Sequence, residues 1–81
     1  MNTERLQLKG LLAVKKESER TLEINIRAQI ALLRMETNPY QPDPANYNAE
    51  NIVIAAENLK KSVESLKACK EFIKKIEGDL E

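Results

Sequence analysis

The chain has 81 residues, with 13 Lys+Arg balancing 13 Asp+Glu, no His, no Trp and a single Cys, so its formal charge is zero. That length allows one small domain, which buries only about 60% of the surface its unfolded form exposes, so its own core is marginal. Cys69 has no second cysteine for an internal disulfide, and without His there is no Cys/His set for zinc and no ordinary near-neutral acid–base residue.

No apolar run approaches the roughly 18–20 residues of a membrane span, and the opening MNTERLQLKG is too polar for a secretory signal. The expectation is a cytoplasmic, all-α protein.

The predicted elements follow from where the helix breakers lie. Leu, Ala, Glu, Lys, Arg and Gln dominate the first 36 residues and predict a helix over about 3–36. Winding it at 100° per residue puts Leu8, Leu11, Leu12, Val14, Leu22, Ile26, Ile30 and Leu33 on one broad stripe. Leu11, Leu22 and Leu33 are eleven apart, which implies a nearly straight seam. Polar residues 15–21 interrupt it, with Ser18 on the core side and Asn25 and Gln29 bordering it. Gly10 is a place for the first turns to fray or bend.

All three prolines fall in Asn38-Pro39-Tyr40-Gln41-Pro42-Asp43-Pro44. Proline lacks a backbone donor and disfavours helix in the residue before it, so this stretch predicts a loop over 37–48. A second helix follows over about 49–79, with Asn48 as N-cap, Glu50 in its first turn and Gly78 where a C-terminal cap is expected. Ile52, Leu59, Leu66, Ile73 and Leu80 recur every seventh residue, with Ala55, Ser62, Cys69 and Ile76 three places after the first four. This heptad pattern predicts coiled-coil-like packing. Glu50, Glu57, Glu64 and Glu71 occupy the outermost column, followed by lysines at helical spacing that neutralise it.

The expected fold is therefore a two-helix antiparallel hairpin in one domain. Its intra-hairpin core would join Leu11, Leu22, Ile26, Ile30 and Leu33 to Ile52, Leu59, Val63, Leu66 and Ile73. Ile24, Ala28, Ala31 and Met35 form a second apolar stripe, and the second helix opens on Ile52-Val53-Ile54-Ala55-Ala56, apolar nearly all round. A hairpin covers one face of each helix, so the remainder predicts an oligomer or partner interface at Ile24, Ala28, Ala31, Met35, Val53 and Ile54. Two hairpins closing into a homodimeric four-helix bundle is the simplest solution, and another helical protein is the alternative partner.

Candidate chemistry is sparse. Cys69 lies on the heptad seam with no His to activate it, Glu-x-x-His is absent, and there is no Gly-rich phosphate loop. The expectation is a non-enzymatic protein–protein interaction module that takes no cofactor, metal or small-molecule substrate. Arg5, Lys9, Lys16, Arg20, Arg27 and Arg34 fall within about 60° of one another along ~44 Å of the first helix, interrupted by Glu23. The ridge reads first as a solvated face, and as an anion or nucleic-acid site only in the alternative. Tyr40 and Tyr47 mark the loop tip, as packing for the bundle end or an extended contact for a partner.

The turn Asn38-Pro39-Tyr40-Gln41-Pro42, at mid-chain between two helices, resembles that of type III secretion needle subunits. That resemblance implies a secretion-needle-like helical hairpin subunit, or a chaperone of one. The chain departs from the pattern in its third proline, its Lys/Glu-laced second helix and an N-terminus without an aromatic head. The likeness covers five residues, so the needle-like reading stands beside the assembly module as an alternative.

Overall fold

The computed structural model describes residues 3–81. Helix α1 spans Thr3–Glu36 and helix α2 spans Ala49–Leu80, joined by a loop holding one 3-10 turn at Pro44–Asn46. The two helices pack side by side as an antiparallel hairpin, all-helical among the described residues. The molecule is a rod of 67 × 16 × 14 Å with a radius of gyration of 18.5 Å. A compact chain of this length would have about 12 Å. There is no room for an enclosed interior.

Local chemistry sets the ends of the elements. The Thr37 hydroxyl and backbone N–H both donate to Leu33 O, at 2.7 and 3.0 Å, closing α1. Asn38 Oδ1 accepts from Tyr40 N at 3.0 Å, and Asp43 Oδ1 caps the 3-10 turn by accepting from Ala45 N. Asn48 Oδ1 accepts from Asn51 N at 3.0 Å, the N-cap that opens α2. At the other end Gly78 is helical and α2 continues through Leu80, so Gly78 is not the cap that its position suggested.

Burial defines the seam. On α2 the half-buried and buried residues include Ile52, Ala55, Leu59, Ser62, Leu66, Cys69, Ile73, Ile76 and Leu80, an alternation of three and four. On α1 the inward residues include Leu8, Leu12, Lys15, Glu19, Leu22, Ile26, Gln29, Leu33 and Glu36, with the same alternation. In heptad terms these are positions a and d, with Leu12 and Ile52 at a. Helix α1 is thus more regular than an eleven-residue spacing implies. Leu11 and Ile30, expected in the core, are each 38% exposed, and Val14 is 62% exposed.

Polar residues stand in the seam at four points of α1, which is why an apolar stripe misread its path. Ser18, expected on the core side, is exposed and donates to Val14 O; Asn25 is exposed too. Only Ile73 and Ile76 are buried among the described residues, at 6% and 3% exposure, both near the end of the rod remote from the loop. The fold's apolar closure is concentrated there.

Candidate functional site

A two-helix rod has two flat faces, and in this chain they differ in chemistry. In an antiparallel pair the e positions of the two helices lie along one side of the seam and the g positions along the other. The contacts show both arrangements. Lys16 reaches Glu77 at 4.0 Å, and Lys70 reaches Glu23 at 3.6 Å and Glu19 at 3.8 Å. Lys16, Glu23, Lys70 and Glu77 are all e residues. On the opposite side an open groove runs between Ser18, Ser65 and Phe72, all g residues, floored by Leu22 and Cys69.

The e side is the basic face. One helical turn beyond its e residues come the b columns, Arg20, Arg27 and Arg34 on α1 and Lys60, Lys67 and Lys74 on α2. Lys9, Lys16, Arg20, Arg27 and Arg34 from the sequence-defined ridge all belong here, and Lys60, Lys67, Lys70 and Lys74 from α2 join them. Arg5 stands in register with the seam positions, where it is exposed, so it is the one member of the ridge that this face does not include. Arg20 makes a local ion pair with Glu17 at 3.7 Å. The chain is neutral as a whole because its acidic residues lie mostly off this face, among them Glu50, Glu57, Glu64 and Glu71 on the outer edge of α2.

On the g side the charges include the Lys15 ammonium over the Phe72 ring and, from α2, Lys61, Lys75 and Asp79; the flank of α1 itself carries none from Leu11 to Met35. On α1, positions g and c read Leu11, Val14, Ser18, Thr21, Asn25, Ala28, Leu32 and Met35, a second three–four alternation parallel to the seam. Every one of these side chains is exposed, Leu32 at 55% and Met35 at 75%. Helix α2 contributes Asn51, Ile54, Asn58, Ser65, Ala68, Phe72 and Asp79 to the same side, with Lys61 and Lys75 at its outer margin.

The six residues expected at an interface do not form one patch. Ala28 and Met35 belong to the g side, with Ile24 and Ala31 beside them on the outer edge of α1. Ile54 is on the same side on α2, whereas Val53 turns toward the basic face. Val53 and Ile54 together line a shallow apolar depression with Ala49 and Glu50 at the start of α2. The wheel of a single helix showed these residues to be surplus to one seam. It did not show that Leu11, Val14 and Leu32 share one side of the rod with Phe72, because that depends on which flanks of the two helices meet.

At the loop tip the two tyrosines have different roles. The Tyr47 hydroxyl donates to Asn38 O, strapping the end of the loop to its beginning. Tyr40 is 87% exposed. Cys69 is a free thiol in the seam and donates to Lys15 O at 3.3 Å. No cluster of three or more potential metal-ligating side chains occurs among the described residues, and no helix is long and apolar enough to cross a membrane.

Comparison with protein-family models, with curated proteins and with solved structures returns no match for this chain.

Proposed function

We propose that the protein is a non-enzymatic assembly module whose hairpins pair through the g/c face into a homodimeric four-helix bundle. The observation that carries this reading is the second, charge-free alternation on α1 from Leu11 to Met35. A solvated helix flank has no physical reason to avoid charge through 25 residues while keeping packing periodicity.

Surface area supports the same reading. The chain exposes 6485 Å². A compact monomer of 9.2 kDa would expose about 4,900 Å², leaving an excess of about 1,500 Å². Obligate homodimers bury more than about 1,000 Å² per partner, so one such interface accounts for the excess. Ala28, Ala68, Ser18 and Ser65 are small enough for close approach of a second hairpin, and a two-fold pairing would bring each face onto its own copy.

Absolute mass across a hundredfold concentration range, by light scattering on a sizing column, tests the proposal. The expected value is twice 9.2 kDa for the native chain. Leu32→Glu, on an exposed position, should return the mass to that of one chain while the circular-dichroism spectrum stays helical. Glu57→Ala should leave the dimer intact. A folded native monomer over the whole range would overturn the assignment.

A further inference from the structure

We infer that the basic face is a binding surface for the phosphate backbone of a double-stranded nucleic acid. The inference is independent of the assembly reading, since it concerns the opposite side of the rod. The argument begins with segregation of charge. Zero net charge argues against a polyanion partner only if the charges are mixed, and here they are sorted by heptad position. Helix α1 supplies Lys9, Lys16, Arg20, Arg27 and Arg34 to this face, and α2 supplies Lys60, Lys67, Lys70 and Lys74. Against them stand Glu23 and Glu77 on the face, with Glu19 reaching across from the seam to Lys70.

Those carboxylates engage Lys16 and Lys70, and Glu17 engages Arg20. Lys9, Arg27, Arg34, Lys60, Lys67 and Lys74 are exposed and make no ion pair among the described residues. The unengaged cations are therefore concentrated in the b columns, Arg27 and Arg34 along one helix, Lys60, Lys67 and Lys74 along the other. A seven-residue repeat advances about 10.5 Å along a helix, so each column is a straight ladder of charge on a rigid support.

Such a surface neutralises phosphates and carries no means of reading bases. Between Lys9 and Arg34, and across α2 from Val53 to Lys74, this face has no aromatic side chain. A single strand would lack the stacking partners on which such binding rests. The same stretch has no aromatic or leucine to sink into a bilayer, and its apolar residues are Ala13, Ile30, Val53, Ala56 and Val63. A duplex asks for neither. The glutamates on the outer edge of α2 confine the contact to the flat face, since they repel any polyanion that wraps further.

The test is fluorescence anisotropy of a labelled duplex of about 20 base pairs, titrated with the full chain from about 50 to 200 mM salt. If the six unengaged cations all contact phosphate, affinity falls about a thousandfold across that range. Arg27→Gln with Lys60→Gln should flatten the log–log salt slope by about two units, near 0.9 per lost contact. Lys61→Gln with Lys75→Gln removes the same charge from the opposite side and should leave most of the affinity in place. Absence of binding at about 50 mM salt would overturn the inference. So would equal losses in the two double variants, or retention on anionic phosphatidylserine vesicles with no duplex binding.

Discussion

Lys15 stands in the inward column of α1, yet its ammonium lies 5.0 Å from the centroid of the Phe72 ring on the g side of the rod. Its stem crosses the flank of the seam while its charge rests on an aromatic surface, so a cation is accommodated at a packing position without burial. The same turn of α1 offers its carbonyl oxygen to the Cys69 thiol at 3.3 Å. These contacts hold the two helices in one register where α1 lacks apolar side chains.

A double-mutant cycle on Lys15→Met and Phe72→Leu should therefore show coupling of about 0.5–1 kcal/mol in urea denaturation. Chain concentration must be held constant, because association would shift the apparent stability. Additive effects of the two changes would show that the ring and the ammonium do not interact.

Gln29 is the second polar residue of interest in the seam. Its Oε1 is enclosed and has no hydrogen-bond donor. An unsatisfied carbonyl costs about 1–3 kcal/mol, so Gln29→Met, of similar length and shape, should stabilise the hairpin by about 1 kcal/mol or more. Thermal melts of the two proteins decide this, and a lower midpoint for Gln29→Met would mean that the oxygen has a partner in solution.

The apolar closure at the far end of the rod makes a different prediction. Ile76 is 3% exposed and Met35 is 75% exposed. Ile76→Ala should cost about 2–4 kcal/mol of folding stability, as for other buried large-to-small changes. Met35→Ala should leave helicity at low concentration unchanged and weaken self-association instead. Sedimentation equilibrium beside circular dichroism separates the two, and a large loss of helicity in dilute Met35→Ala would contradict the assignment of that residue to an outer face.

Gly10 is helical, and a Cβ added there would meet nothing within 4 Å. Gly10→Ala should stabilise α1 by about 0.5–1 kcal/mol through lost unfolded-state freedom. Hydrogen exchange at residues 6–14 should slow in step; unchanged exchange would mean that this end of α1 gains nothing from the alanine.

The two helices, the loop between them and the inward column of α2 are legible in the amino-acid sequence. The reason is local: three prolines within six residues interrupt helix wherever they occur, Asn48 caps its own helix, and a seven-residue apolar repeat has one way to turn inward. The path of α1 was not legible, because Lys15, Glu19 and Gln29 occupy inward positions that a hydrophobicity pattern assigns to solvent. The pairing of the helices settles that, by supplying Phe72 and the Cys69 thiol to Lys15 and Lys70 to Glu19, while Gln29 Oε1 is enclosed without a donor. It also decided that Arg27 and Lys60 share one face, and that Leu32 and Phe72 share the other. Each helix wheel orders its own residues, but which flank meets which depends on the antiparallel pairing, and that is set by contacts between residues some fifty positions apart in the chain.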